Sequence, residues 1–320
     1  MLKKIKKELN RITKKLFRSG KKYEQLERLQ HERENLPYET FDNSDCSIRI
    51  PHIKTIDETL EKILLENCSI ARFGDGEFGV MTGSRIHFQN RSTKMAQRLK
   101  EVIASNNPNF LVALVDTFGT LENHLQPGKD FWRKWMSKKR QIVYSYLDMD
   151  RVYYNALFSR PYVIFNKTDE HYNNCHIYFE KMKKIWADRD VVICEGEGTR
   201  FGLFNDLLGG AKSISRILCP ARSAFDKYDE ILSAFNGVSK EKLVLAALGP
   251  TATVLAYDLC NKGYQAIDIG HLDLEYEWFL RKSLTGVPLK FKYVDGTAEG
   301  RKVHPLEDPE YKKQIIKTVL

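Results

Sequence analysis

Residues 243–269 have the sequence LVLAALGPTATVLAYDLCNKGYQAIDI, and this stretch contains a complete alternation of strand, helix and strand. The apolar runs Leu243–Leu248 and Ala266–Ile269 predict two buried strands. Between them, residues 251–262 predict a helix, with Pro250 suited to its first turn and Gly263 suited to its C-terminal cap. The stretch therefore predicts a βαβ unit with two parallel strands.

The same alternation runs through the chain from about residue 56 onwards. The pattern predicts an α/β fold whose mostly parallel sheet carries helices on both faces. Further strands are predicted at Ser69–Phe73, Phe110–Val115, Ile142–Tyr146, Tyr162–Phe165, Val191–Cys194 and Ile214–Leu218, and further helices near 92–104, 175–187, 200–208 and 223–235. We assign residues 56–320 to this domain.

The first 35 residues differ from the rest of the chain in pattern and charge. Apolar residues recur at helical spacing and alternate with lysines and arginines; they are Leu2, Ile5, Leu9, Ile12 and Leu16. This spacing predicts a basic amphipathic helix over residues 1–35. Such a helix can lie on an anionic membrane surface, dock on its own domain or pair with a second copy of the chain, and disorder is a further alternative. Residues 36–55 contain Pro37 and Pro51 and are predicted to be a linker.

Charge and composition exclude several classes of protein. The net charge is +9, but residues 1–35 carry +7 of it and the other 285 residues carry only +2. A nearly neutral body argues against a nucleic-acid-binding protein. No run of 18 apolar residues predicts a membrane span, and charges interrupt every apolar stretch that could serve as a signal peptide. The six cysteines form no C-x-x-C pair, which favours reduced thiols in the cytoplasm.

Ligands of such sheets bind beyond the carboxyl ends of the strands, so the loops after the strands are the candidate sites. After Ser69–Phe73 the chain continues with GDGEFG, residues 74–79. Asp75 and Glu77 can converge on one Mg²⁺ or Mn²⁺ ion, and Gly74 allows a ligand to approach the backbone. Arg72 could bind a phosphate or pair with Asp75. The alternative is an ordinary polar turn, in which Asp-Gly is common.

Two further loops have the pattern of anion-binding turns. Residues 195–202, EGEGTRFG, are predicted to open a helix and to present Glu197, Gly198 and Thr199 to a ligand. Their glycine spacing is one residue too long for a dinucleotide fingerprint, and Arg222 stands after the next strand where an acidic residue is expected. The third loop, Gly249-Pro250-Thr251, begins the predicted helix after Leu243–Leu248.

A fourth candidate loop follows Ala266–Ile269. His271, Asp273 and Glu275 alternate with leucines, so an extended chain would direct all three side chains the same way. They could supply a general base, a metal ligand or contacts to sugar hydroxyls. Acidic residues at a helix start are equally often partners of the helix dipole.

One aromatic and basic stretch is also a candidate for binding. Residues 131–140 have the sequence FWRKWMSKKR. This pattern suits an acidic or lipid-linked acceptor, and a partly buried amphipathic helix explains it equally well.

Several ordered motifs resemble one known bacterial family. SIARFGDGEFGV, VVICEGEGTRFG, ILCPARSAFDKYDEIL, LAALGPTATVLAYDL and GYQAIDIGHLDLEYEW are similar to the DUF1792 domain, the GT-D type of glycosyltransferase, over roughly residues 55–300. The resemblance implies a Rossmann-like fold, a UDP-sugar donor and glucosylation of streptococcal surface adhesins. It also implies that Asp75 and Glu77 are a D-x-E motif that binds Mn²⁺. It does not extend to residues 1–35.

These observations lead to one hypothesis and two alternatives. The hypothesis is a metal-dependent transfer of a sugar from UDP to a hydroxyl of a glycan, glycoprotein or lipid-linked acceptor, by an enzyme that is cytoplasmic or lies at the inner membrane face. Asp273 or His271 would act as the base, and the donor would be bound by Arg72, Gly74, Glu197, Gly198, Thr199, Arg222, Gly249, Pro250 and Thr251. The alternatives are an NADP-dependent oxidoreductase with Arg222 on the 2′-phosphate, and a non-catalytic scaffold at a membrane.

Overall fold

Nine parallel strands form one sheet in the structure, a computed structural model that describes Lys7, Arg11, Gln30 and residues 48–84, 86, 89–295 and 299–320. The strand order is β1-β4-β3-β2-β8-β7-β5-β6-β9, and every pairing is parallel. The strands are β1 (His52–Ile53), β2 (Ser69–Phe73), β3 (Phe110–Leu114), β4 (Val152–Asn155), β5 (Asp190–Gly196), β6 (Ser213–Cys219), β7 (Leu243–Ala247), β8 (Ala266–Asp268) and β9 (Ile315–Thr318).

Helices connect the strands and cover the sheet. They are α1 (Ile56–Glu66), α2 (Asp75–Met81), α3 (Thr93–Ile103), α4 (Gln126–Tyr144), α5 (Asp169–Trp186), α6 (Tyr228–Ser233), α7 (Pro250–Asn261), α8 (Leu272–Leu280) and α9 (Pro309–Gln314). Two of them begin with well-known helix-start features, and the second of these was predicted from the sequence. Thr55 and Glu58 form a reciprocal capping box at the start of α1, and Pro250 is the first residue of α7.

Both faces of the sheet are buried, which explains why its central strands are apolar at nearly every position. Successive residues of a strand point to opposite faces. In β5, Val192 and Cys194 join a core with α3, α4 and α7, whereas Val191 and Ile193 join a second core with α1, α5 and α8. The predicted Rossmann-like α/β sheet with helices on both faces is therefore confirmed.

Three predicted elements are wrong, each for a local reason. Residues 142–144 of the predicted strand Ile142–Tyr146 end α4, where Val143 is the residue that packs into the core. The predicted strand Tyr162–Phe165 is a loop whose first two N–H groups donate to the buried carboxylate of Glu275 instead of to a neighbouring strand. The predicted helix 200–208 is a series of turns, because Arg200, Gly202 and Phe204 have positive φ angles.

Three strands that the sequence pattern did not predict lie towards the edges of the sheet. β1 and β9 are the outermost strands, and β4 pairs with β1 and β3. Each has only two to four residues, and β9 carries a lysine, so none forms a recognisable apolar run. β1 lies inside the segment 36–55 that we predicted to be a linker. The predicted amphipathic helix 1–35 lies outside the described residues, apart from Lys7, Arg11 and Gln30.

A buried ion pair links the middle of the sheet to its β6–β9 edge. Arg216 of β6 donates to Glu195 of β5 at 2.6 Å, and both side chains are almost completely buried. The second oxygen of Glu195 accepts from the N–H of Phe201 at 2.7 Å, and Tyr311 of α9 donates to the first at 3.3 Å. Glu195 is thus a structural anchor below the glycine loop, and its charge does not face the loop's outer surface.

The described residues contain neither a membrane-spanning helix nor a disulfide bond. Within those ranges, no helix has the length and apolarity needed to cross a bilayer. The cysteines at positions 68, 175, 194, 219 and 260 are free thiols, and all but Cys260 are buried. Their main role is core packing.

Replacing Arg216 by methionine is expected to lower the free energy of unfolding by about 3–5 kcal/mol, because Glu195 would stay buried without its charge partner. Lys212→Met is the matched control, since Lys212 pairs with Asp190 at the surface, with 3.6 Å between nitrogen and oxygen. The control should cost less than about 1 kcal/mol. Urea denaturation measures the free energy of unfolding of both variants. An equal decrease in the two would contradict the role assigned to Arg216.

Candidate active site

An open cleft of about 530 Å³ lies at the carboxyl edge of the sheet. Loops that follow seven strands line it, as expected for ligand sites in parallel sheets. Its walls include Gly74 and Asp75 after β2, Val115 after β3, Arg160 after β4, Thr199 after β5, Ala221 after β6, Gly249 after β7 and His271 after β8. The cleft therefore brings together side chains from segments that are far apart in the sequence.

Arg72 is fixed on the floor of this cleft by a buried carboxylate. Its guanidinium donates to Oδ1 of Asp268 from Nε at 3.1 Å and from Nη2 at 2.8 Å, and Asp268 is completely buried. Thr253 of α7 donates to the other oxygen of Asp268 at 3.1 Å. The sequence left two roles open for Arg72, binding a phosphate or pairing with Asp75. The structure shows an ion pair, but its partner is Asp268 and not Asp75.

Gly270 allows this ion pair to exist. It has a φ of +50°, and a Cβ atom at this position would lie 2.1 Å from Nη2 of Arg72. The guanidinium cannot move aside without leaving Asp268 uncompensated in the core. A residue without a side chain is therefore required where β8 turns into the cleft.

Asp75 and Glu77 occupy the first turn of α2, and both line the cleft. The N–H of Gly74 donates to Oε2 of Glu77 at 2.8 Å, so the Glu77 carboxylate folds back over the start of the helix. Burial raises the pKa of Glu77 to about 7, against the opposing charge of Arg72. The protein around Asp75 raises the pKa of its carboxyl group as well, although the side chain is open to the cleft, and Arg160 opposes that shift.

The donor set of this turn fits a hard divalent cation that shares its coordination with a ligand. Two desolvated carboxylates on one wall gain from a positive charge between them. Among the described residues, no group of three or more His, Cys, Asp or Glu side chains could hold a metal ion without further ligands. Oxygens of a bound substrate would have to complete the shell, which is the usual situation for Mg²⁺ and Mn²⁺.

The two predicted phosphate loops differ in the structure. Gly249 lines the cleft and caps the N-terminus of α7, so this loop does open a helix as predicted. Pro250 and Thr251 are buried behind it, and Oγ1 of Thr251 has no hydrogen-bond partner among the described residues. The loop at 196–199 opens no helix, and this part of the prediction is wrong. Only Thr199 of that loop lines the cleft.

The other predicted donor contacts lie outside the cleft wall. Glu197 is exposed, and its N–H donates to the carbonyl of Cys219. Gly198 is buried with a φ of +82° and accepts from the N–H of Tyr293 at 2.9 Å. Arg222 is exposed beside the wall residue Ala221. The structure thus brings Arg72, Gly74, Thr199 and Gly249 together but not these three residues.

His271, Asp273 and Glu275 do not form the extended, one-sided array that the alternation predicted. The segment is helix α8 with His271 as its cap, so successive residues turn by about 100°. Asp273 is buried and accepts from Lys292 at 2.6 Å and from Asn205 at 2.8 Å. Glu275 points to the opposite side, where it holds the backbone at Tyr162 and Val163.

Of these three residues, His271 has the side chain most open to the cleft. The surrounding protein lowers the pKa of its imidazole to about 3, helped by the positive charges of Arg160 and Arg72. The ring is therefore neutral near pH 7 and can accept a hydrogen bond, but a pKa this low makes it a weak base in the absence of a ligand. Asp273 also lines the cleft, at its base, but its carboxylate is already engaged by Lys292.

A family model described as "Glycosyltransferase GT-D fold" matches residues 70–297, which contain every loop of the cleft wall named above. The chain belongs to the GT-D family. The earlier resemblance to DUF1792 is thereby confirmed, and Asp75 and Glu77 lie within the matched region.

Named relatives and solved structures agree with this assignment. The chain is 35% identical over 268 residues to a probable glycosyl transferase Gly of Streptococcus gordonii, covering 82% of this chain and 38% of that protein. It is 34% identical to glycosyltransferase GlyD of Streptococcus pneumoniae, covering 88% and 34%. The chain thus spans about a third of the length of the curated relatives it matches.

Two solved structures extend the likeness to three dimensions. One is a DUF1792 domain described as having a distinct glycosyltransferase fold, with a TM-score of 0.78 and 36% identity over 84% of this chain and 95% of that chain. The other is a DUF1792 glycosyltransferase from Streptococcus sanguinis, with a TM-score of 0.77 and 33% identity over 85% of this chain and 100% of that chain.

Sequence patterns missed three polar residues of the GT-D cleft. Arg160 follows the short strand β4 and sits near Asp75 and His271, whose pKa values its charge lowers. Glu275 lies 3.5 Å from its Nε. Tyr293 and Asp295 reach the cleft from the segment after α8. The one available signal for Arg160 was a basic residue after a strand, and that strand was too short to be recognised.

Gly270→Ala is expected to destabilise the protein by about 3 kcal/mol or more, combining left-handed backbone strain with overpacking against Arg72. Gly237→Ala is the control, because Gly237 has a φ of +86° but nothing within 4 Å of the added methyl. The control should show only the strain of about 1–2 kcal/mol. Denaturant titration measures the free energy of unfolding of both variants. A similar decrease in the two would show that the close approach of Gly270 to Arg72 does not affect stability.

Proposed function

We propose that the chain transfers a hexose from a UDP-sugar to a hydroxyl group of a glycan or glycoprotein acceptor. The observation that carries the proposal is the pair Asp75 and Glu77, which share one wall of a cleft at the carboxyl edge of a GT-D sheet. A diphosphate-bearing donor suits this place, because the desolvated carboxylates need a cation and the cation needs phosphate oxygens.

Asp75 and Glu77 would hold a Mn²⁺ or Mg²⁺ ion in this proposal. The hydrogen bond from Gly74 to Glu77 sets the direction of one carboxylate before a ligand arrives. When bound, the cation supplies neutralisation of the charge that develops on the leaving diphosphate. Side chains that are already fixed lose little freedom when the donor binds, which favours a well-defined pose.

The opposite walls offer positive charge and hydrogen-bond donors to the diphosphate. Gly249 places the N-terminus of α7 at the cleft, and helix N-termini favour anions. Thr199 adds a hydroxyl group, and Arg160 adds a guanidinium that is about one-third exposed to solvent. Arg72 contributes from the floor, with part of its charge already balanced by Asp268.

The transfer itself needs a base and a leaving group. The bond between the anomeric carbon and the diphosphate oxygen breaks, and UDP leaves with the electron pair. The acceptor oxygen bonds to the anomeric carbon, and its proton passes to a base. His271 is the better placed of the two predicted bases, since it lines the cleft, and the negative charge of a bound diphosphate would raise the low pKa of its imidazole. Asp273 is better suited to positioning, because Lys292 and Asn205 hold its carboxylate.

Membership of the GT-D family favours glycosyl transfer over the two alternative functions. The oxidoreductase hypothesis relied on Arg222 to bind a 2′-phosphate, and Arg222 lies outside the cleft wall. A scaffold would have no need for two desolvated carboxylates on a cleft wall.

Asp75→Asn and Glu77→Gln are each expected to reduce Mn²⁺-dependent UDP-sugar turnover by at least about a hundredfold, the scale of losing one transition-state charge contact. Their melting temperatures should not fall, because the amides replace carboxylates whose burial is unfavourable. UDP release from UDP-glucose, UDP-galactose and UDP-N-acetyl sugars, with and without Mn²⁺ or EDTA, measures the effect and identifies the donor.

Asp229→Asn is the matched control, since Asp229 is an exposed carboxylate that pairs with Lys94 away from the cleft. Its turnover should equal that of the wild type. Full activity in either cleft variant would refute the metal assignment, and a wild-type protein that turns over none of the donors would refute the proposed function.

We further propose that residues 1–35 bring the enzyme to the anionic inner face of a membrane. The support is the sequence alone, with its +7 charge and helical apolar period. Replacing Lys3, Lys4, Lys6 and Lys7 by glutamine should weaken binding to anionic vesicles by more than about a hundredfold, at roughly 1 kcal/mol per lysine. Vesicle sedimentation tests this, and unchanged binding would instead favour docking or pairing of the helix.

A further inference from the structure

A second cavity, of about 280 Å³, lies next to the cleft. The loop after β3 and the part of α4 from Gln126 to Arg140 line it. Its polar and aromatic lining includes Thr117, Thr120, Lys129, Trp132, Arg133 and Arg140. Trp132 lines the cleft as well, so one indole forms a common wall between the two spaces. We call this space the α4 cavity.

The α4 cavity is strongly positive. Lys129, Arg133 and Arg140 line it, against the single carboxylate of Glu122 among its described lining residues. Lys129 is half-buried and makes no ion pair within the ranges that the structure describes. The guanidinium of Arg140 is oriented by the carbonyl of Phe118 at 3.0 Å and by the hydroxyl of Tyr144 at 2.8 Å. A cluster of this kind is suited to a phosphate group.

Two further features of the α4 cavity favour an anionic, polar ligand. The first residue of the 19-residue helix α4, Gln126, is part of the lining, so the positive end of the helix dipole is at the cavity. Thr117 also lines the cavity, and its buried Oγ1 has no hydrogen-bond partner among the described residues. Buried hydroxyl groups without partners are rare and cost free energy, which a ligand can recover.

We propose that the α4 cavity binds the phosphate group and adjoining sugar of a phosphorylated saccharide, which is the acceptor of the transfer reaction. This inference rests on the proposed glycosyl transfer and extends it to the second substrate. The cavity is just below the range of ~300–1,000 Å³ that holds drug-sized ligands, so it suits one sugar phosphate and not a long glycan. The acceptor's hydroxyl would reach the donor past Trp132, while the phosphate stays on the cationic side.

The location argues against assigning the α4 cavity to the donor. In the proposed pose, the donor diphosphate lies between α2 and α7, where Asp75 and Gly249 are found. The α4 cavity shares Trp132 with the cleft, but neither Asp75 nor Gly249 lines it. A transferase needs separate positions for its two substrates on either side of the reacting carbon, and this arrangement supplies them.

Lys129→Gln tests the proposal in the full-length chain, with N-acetylglucosamine 1-phosphate as the probe in isothermal titration calorimetry. Loss of a charge-assisted contact should weaken binding about tenfold or more. Lys138→Gln is the matched control, because it removes the same charge from an exposed position on α4 that does not line the cavity. N-acetylglucosamine without phosphate should bind more weakly than the probe to the wild type and equally to all three proteins.

Several outcomes would overturn the inference. The first is that the wild type does not bind the probe. The second is that Lys129→Gln and Lys138→Gln bind the probe with equal affinity. The third is that UDP displaces the probe in a competition experiment. Donor hydrolysis without acceptor is measured on the same samples. It should be unchanged in Lys129→Gln, and its absence in the wild type would refute the proposed function instead.

The source of the phosphate is distinguished by a second probe, a short-chain polyprenyl diphosphate sugar in detergent micelles. A lipid-linked acceptor would be identified if this second probe binds more tightly than the soluble sugar phosphate and if Lys129→Gln weakens its binding. Equal affinity would identify a phosphorylated glycan. Both results support the α4 cavity as the acceptor site.

Discussion

The ion pair between Arg72 and Asp268 is the constraint around which the cleft is built. It joins neighbouring strands β2 and β8, and Thr253 attaches α7 to the same carboxylate. The loops that begin at Gly74, Gly249 and Gly270 all start within a few residues of this network. Their relative positions are therefore set by buried charges, which tolerate little displacement. A purely apolar contact at this point would hold the strands together but would restrict the positions of the loops less.

The charged side chains near the cleft fall into two groups, buried ion pairs and carboxylates that line the cleft. Glu195 and Arg216 are buried and fully paired, and they hold elements together. Asp75 and Glu77 instead line the open cleft, make no ion pair with any described residue, and have raised pKa values. Perturbed groups that gather in a cleft indicate function, whereas those satisfied within the core indicate structure.

The sequence predicted the central sheet and part of the site for clear physical reasons. Apolar strands such as β5 and β7 must be buried on both faces, and Pro250 directly after Gly249 suits the first turn of a helix. The edge strands β1 and β9 are too short to show a period. Arg160 and the partner of Arg72 depend on contacts between distant segments. The wrongly predicted helix at 200–208 shows the same limit. Glu195 and Arg216 hold the backbone of Phe201, which lies between the left-handed residues Arg200 and Gly202.

The order of the strands has a consequence for how the protein matures. Arg72 and Asp268 are 196 residues apart in sequence yet adjacent in the sheet, because β8 inserts between β2 and β7. A growing chain on the ribosome therefore carries β2 and α2 for a long time before their permanent neighbour is synthesised. Contacts of such separation form slowly and expose strand edges meanwhile. The turn that carries Asp75 and Glu77 therefore lacks the support of the Arg72–Asp268 pair until β8 has been synthesised.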